Sequence, residues 1–229
     1  MAAVIFIVGF VCEIISYQYT HFSIEEQNKE ITGYIPVENA EYIYTDGYYE
    51  SKEASKLIAT FISKLPSCIT KKFTSNWKVV LAKNRLEDYS NTASGVTLWS
   101  KKVILLNAYK DIQITYNVFI HELGHWFDLS YGYLSESNTF YTIYESYKGI
   151  FTEVDQLVSK DYTSSSAQEF FASAFKEFYL NSSHLLSTAP EAYTYIENAI
   201  NTASNSEHSN LKYNIIGFFR NVLKTRNKS

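Results

Sequence analysis

The chain has 229 residues, 46% hydrophobic and 17% aromatic, which is enough apolar material for a substantial core without disulfide staples. A net charge of −4 excludes the general basic field that grips phosphate backbones, so nucleic acid is set aside as a partner. With 3 Pro and 8 Gly the chain is neither collagenous nor compositionally disordered, and 2 Cys are too few for a four-thiolate metal site.

The first segment, Ala2 to Cys12 (AAVIFIVGFVC), is apolar and uncharged. It falls short of the roughly 20 residues a helix needs to cross a bilayer, so no stable membrane span is expected. Its length suits the apolar region of a secretory signal, although no Lys or Arg precedes Lys29 and no small-x-small cleavage site follows. Residues 1–23 therefore read as an incomplete signal or apolar leader, and the protein as exported from a bacterial-type cell. Residues 24–229 read as one domain, because no repeat, low-complexity run or Pro- or Ser-rich linker divides them.

Tyr49 to Leu65 places Ala54, Leu57, Ile58, Phe61 and Ile62 at three- and four-residue spacing and stops before Pro66, which predicts an amphipathic helix. Trp77 to Leu81, Val96 to Trp99 and Val103 to Leu106 are short β-branched or aromatic runs bounded by Asn, Ser, Gly and Lys, and predict three strands of a small sheet. Helical patterns follow over Gln113 to Leu129, Ser165 to Leu180 and Pro190 to Ala203. Lys212 to Ser229 pairs Ile215, Ile216, Phe219, Val222 and Leu223 with a basic end, as a final helix packed on the core would. The fold class is α+β, with a mainly helical C-terminal half.

The first of those helices contains His121, Glu122, Leu123, Gly124 and His125, the pattern H-E-x-x-H. Residues four apart share one face of a helix, so both imidazoles can address one zinc ion while Glu122 stands beside a zinc-activated water. Zinc brings the pKa of such a water to around 7 and polarises a carbonyl, and a glutamate can carry the proton to the leaving amine. The chemistry this predicts is amide hydrolysis. Burying two imidazoles and a carboxylate in so apolar a helix without a metal or partners is costly.

A catalytic zinc takes a third protein ligand and keeps one position open. Asp128 and Tyr131 stand where a metzincin would carry Gly and His, which excludes that class. His184 and His208 are available in principle. Glu169, a lone acid within Gln168-Glu169-Phe170-Phe171-Ala172-Ser173-Ala174-Phe175, is the better placed, since an acid on an apolar helix needs a partner.

HELGHWFD (His121 to Asp128), QEFFASAFKEFYLN (Gln168 to Asn181) and APEAYTYIENAI (Ala189 to Ile200) together resemble the zinc metallopeptidases related to the catalytic domain of anthrax toxin lethal factor, a family that includes the clostridial Pro-Pro endopeptidases. The resemblance is strongest over 95–200. It implies a zincin-like fold of the gluzincin type, with one zinc ion per chain held by His121, His125 and Glu169. It also implies Glu122 as general base and Tyr162, seven residues before Glu169, as an assisting catalytic residue. A phenol there can donate to the oxyanion that forms on the attacked carbonyl. Asp128 matches the family as well and could orient a histidine ligand. Ser173 stands where the family often has a second acid, which points to altered tuning of the site.

In zincins generally the peptide adds as a strand to the edge of the sheet upstream of the zinc helix. Gly95, Val96, Thr97, Leu98 and Trp99 are the candidate edge, with Trp99 either a subsite wall or a core residue. The expected protein is a monomeric, secreted, toxin-like zinc metalloendopeptidase acting on a protein or peptide substrate. The competing readings are a catalytically silent binding module on the same fold, and a structural zinc protein with Cys68 closing the fourth position.

Overall fold

The computed structural model describes residues 22–89, 93–157 and 159–205. Helix α1 (Ile24–Ile31) is capped by Ser23, whose side chain accepts from the Glu26 N–H, and leads into strands β1 (Ile35–Val37) and β2 (Ala40–Thr45). Helix α2 (Tyr49–Lys64) ends at Leu65, and Pro66 serves as the N-cap of α3 (Ser67–Thr74). Strands β3 (Lys78–Ala82), β4 (Gly95–Leu98) and β5 (Val103–Asn107) complete the sheet. The remainder is helical: α4 (Ile112–Ser130), a 3-10 turn at Leu134–Glu136, α5 (Asn138–Tyr147), α6 (Lys160–Thr163), α7 (Ala167–Leu180), α8 (Ser182–Thr188) and α9 (Pro190–Asn205).

The sheet has five strands in the order β1-β2-β3-β5-β4. β2, β3 and β5 run parallel, while β1 and β4 are antiparallel edges. Alternation along the strands divides the core. Val79, Leu81, Ile104 and Leu106 face the helical layer, where Phe119, Leu123, Phe171 and Phe175 lie buried. Val80, Leu98, Val103 and Leu105 form a smaller cluster on the opposite face, against Ile31 and Tyr34. The same period turns Val96 and Leu98 toward the small cluster and leaves Gly95 and Thr97 facing α4.

The three expected strands and four of the expected helices are present within a residue or two of their predicted bounds, but the sheet is larger by β1 and β2. Trp99 lies just beyond β4, and its ring meets Trp77 edge-on at 4.7 Å. It belongs to the packing of the main core and not to the strand. The leader, His208 and the Lys212 to Ser229 segment lie outside the described residues. Among the described residues no helix is long and apolar enough to cross a membrane.

Helix α1 is tied to the β4–β5 turn by a buried charge cluster. Glu30 accepts from Lys101 Nζ (2.5 Å) and Tyr89 OH (2.5 Å) and is paired with Arg85, while Gln27 donates to the Lys102 carbonyl (3.1 Å). Burial favours protonated Glu30, yet the bonds from Lys101 and Tyr89 and the charges of Lys101 and Arg85 override it and hold the carboxyl below its ordinary 4.5. A depressed folded-state value adds stability that is present above the unfolded value and lost as pH falls through the folded one. Glu30→Ala is therefore expected to cost about 3 kcal/mol at pH 7 by stranding Arg85, with a smaller deficit in strong acid. Urea denaturation at both pH values measures this, and an equal cost at both would remove the charge argument.

Candidate metal centre

Helix α4 begins at Asp111, whose carboxylate accepts from the Gln113 N–H at 2.9 Å. From Phe119 to Asp128 every residue is buried except His125, which is nearly so. The four-residue spacing puts the His121 and His125 rings on one face, 4.9 Å apart between centroids and close to perpendicular.

Helix α7 lies across that face. Its N-cap Ser166 accepts from the Glu169 N–H at 3.1 Å. Ser166 and Glu169 have the spacing of a capping box, in which the glutamate would reach back to the cap. Here the carboxylate turns inward, placing Oε2 3.2 Å from His121 Nε2 and 3.4 Å from His125 Nε2. Gly124 permits this approach, because a Cβ there would lie 2.9 Å from Ala172 Cα and 3.1 Å from the Ala172 carbonyl oxygen.

One donor atom from each of His121, His125 and Glu169 lies within 4.8 Å of the others. On a tetrahedral ion with bonds of 2.0–2.1 Å, neighbouring donors sit about 3.3 Å apart, close to both His–Glu separations. Two imidazole nitrogens and a carboxylate oxygen are a donor set that suits zinc, and among the described residues no fourth His, Cys, Asp or Glu joins the group. Burial lowers the affinity of His125 for its proton, but the adjacent Glu169 carboxylate outweighs this and raises it to about 9. Glu169, which burial alone would push up, is held well below the carboxylate range by His125 and His121.

Glu122 points toward the sheet. Its Oε2 accepts from Thr97 Oγ1 at 2.7 Å, and Gly95 opens the space beside it, since a Cβ at 95 would lie 2.8 Å from Glu122 Cγ. Tyr162, in α6, donates its hydroxyl to Glu169 Oε1 at 3.0 Å with 40% of the residue exposed. Ser173 Oγ lies 3.5 Å from His121 Nδ1 and 3.4 Å from Thr163 Oγ1, so a neutral hydroxyl stands behind that imidazole.

One expectation is corrected, and two alternatives find no support in the donor group. Asp128 is buried, but its oxygens accept from the Ser135 N–H (2.7 Å) and hydroxyl (2.5 Å), so it fastens the turn after α4 and makes no bond to a histidine. Burial raises its carboxyl to about 6 despite those two bonds. His184 lies 2.8 Å from the Thr152 carbonyl through Nε2, outside the donor group. Cys68 donates its thiol to the Ala203 carbonyl at 3.2 Å and is likewise outside it. The contact of Thr97 with Glu122 was not anticipated. Its signal is Gly and Thr two apart on a short strand, where a small residue beside a hydroxyl marks close approach to a polar group.

Residues 95–199 match the family described as "Anthrax toxin lethal factor, N- and C-terminal domain". Over that stretch the chain is similar to the lethal factor family. The match runs from β4 through α4 and α7 into α9, and so takes in every residue of the donor group. The Pro-Pro endopeptidase PPEP-2 from Paenibacillus alvei superposes with a TM-score of 0.53 at 20% identity, over 69% of this chain and 97% of that one. The fold is thus α+β and zincin-like. A comparison with the curated proteins gives no match.

Proposed function

We propose that this protein is a zinc-dependent metalloendopeptidase of the gluzincin type, with one ion held by His121, His125 and Glu169. The observation that carries the reading is the convergence of those three donors, from two helices, at separations suited to a tetrahedral ion. The similarity of residues 95–199 to the lethal factor family and the zincin-like fold support it. When bound, zinc supplies a Lewis acid that polarises the scissile carbonyl and acidifies water.

The chain's own groups do the rest. Glu122 accepts the proton of the attacking water and delivers it to the leaving amine. Tyr162 exchanges its bond to Glu169 for one to the oxyanion developing on the attacked carbonyl. β4 is an edge strand, so a peptide in extended form can pair with it and pass over the histidines. The substrate in this reading is a protein or peptide met outside the cell, with export resting on the uncharged apolar run Ala2 to Cys12.

The test is mass-spectrometric mapping of cuts in a diverse peptide library with zinc-loaded protein, run beside Glu122→Gln. Cuts made only by the unmodified protein establish the peptidase and show whether proline beside the bond matters, as the name of the Paenibacillus protein invites one to ask. A folded, zinc-loaded protein that cuts nothing would overturn the reading in favour of a binding module. Tyr162→Phe is expected to lower kcat about 10²-fold with zinc content and KM little changed, since its bond would be made chiefly in the transition state. Steady-state kinetics on a peptide from the mapping decide, and an unaltered kcat would reduce Tyr162 to a support for Glu169.

A further inference from the structure

We propose that Thr97 is a positioning residue for the general base, with Gly95 providing the room, so that the substrate-pairing edge and Glu122 form one unit. The inference rests on the role of Glu122 given above and goes beyond it by assigning what holds the carboxylate. A glutamate on a helix has three rotatable side-chain bonds and is not placed by its backbone alone. At Glu122, Thr97 Oγ1 lies 2.7 Å from Oε2 and 3.1 Å from the Glu122 carbonyl oxygen. The hydroxyl has one proton, and the nearer acceptor is a carboxylate, whose charge strengthens the bond.

The strand enforces this arrangement. Thr97 pairs with Ile104 of β5, and Gly95 with Leu106, which fixes both on the face toward α4. A side chain at 95 would meet Val118 Cγ1 at 2.7 Å, Glu122 Cγ at 2.8 Å and Glu122 Oε1 at 2.9 Å. Any residue but glycine would therefore push the acid off its seat. Glu122 Oε1 makes no hydrogen bond among the described residues and is the oxygen left for proton transfer. Because β4 is an edge strand, with one side paired to β5, a peptide that docks on its other side docks on the strand that aims the base.

A threonine chosen only for its β-branched shape would be replaceable by valine, and the experiment uses that difference. Zinc-loaded Thr97→Val is expected to lose about 10- to 100-fold in kcat while KM moves less than about threefold and zinc content stays at one ion per chain. Thr97→Ser, which keeps the hydroxyl, should recover most of the loss. A crystal structure of zinc-loaded Thr97→Val should show the Glu122 carboxylate in a different or divided rotamer, with Thr97→Ala as the smaller replacement should valine prevent folding. An unmoved carboxylate, a wild-type kcat in Thr97→Val, or a serine variant as impaired as valine would each overturn the assignment. If the unmodified protein cuts no peptide, the peptidase reading fails, and the position of Glu122 in the variant structures decides the case of Thr97 alone.

Discussion

Glu122→Gln is expected to retain its zinc and to lose about 10³-fold in kcat, within the range that a positioned acid–base group contributes. The amide has the same shape and can still accept from Thr97 through its oxygen, so strand β4 and helix α4 should remain in register. What it cannot do is take a proton at neutral pH. Glu122 is not among the three converging donors, so removing its charge should leave metal content unaffected. Metal analysis beside kinetics on the same sample separates the roles. A variant that loses zinc would make Glu122 a ligand, and one that keeps its turnover would move the base elsewhere.

Glu169→Gln should do the opposite and strike the metal first. Loss of a residue that merely supports a ligand commonly costs 10- to 100-fold in affinity, so replacing a ligand itself should exceed about 10²-fold. The amide keeps the volume of the side chain and Ser166 still caps the helix, so packing of α7 is preserved and the loss belongs to the donor atom. Removing the carboxylate also withdraws the charge that lifts His125 to about 9. Competition with a chromophoric chelator gives the affinity. Unchanged binding would show that Glu169 is not the third ligand and would turn attention to His208, which lies outside the described residues.

Much of this was legible in the sequence because the relevant signals are local. Residues four apart on a helix share a face whatever surrounds them, which is why His121 and His125 could be paired from their spacing. Glu169 stood out as an acid among Phe and Ala, and only a buried partner explains such a residue. Long-range choices were not legible. Helix α5 (NTFYTIYESY) is composed largely of residues with modest helix propensity, and it is held by burying Phe140 and Tyr144 and by the Ser137 cap. Pro66 was read as the stop of one helix, whereas it also begins the next. The partner of Asp128 was decided by the turn that brings Ser135 back to it, through left-handed Tyr133 and Gly132, and no spacing rule selects that hydroxyl over an imidazole.

The glycine inside H-E-x-x-H changes what that pattern means in this protein. Of its two unspecified positions, the second is specified by a different helix, because Ala172 leaves no space for a carbon atom at 124. A substitution there touches no ion, yet it would carry Glu169 away from both imidazoles by prying apart the backbones that bear them. The spacing of the three donors is therefore set partly by a residue that has no side chain, and variants catalogued by chemistry alone would file position 124 under packing.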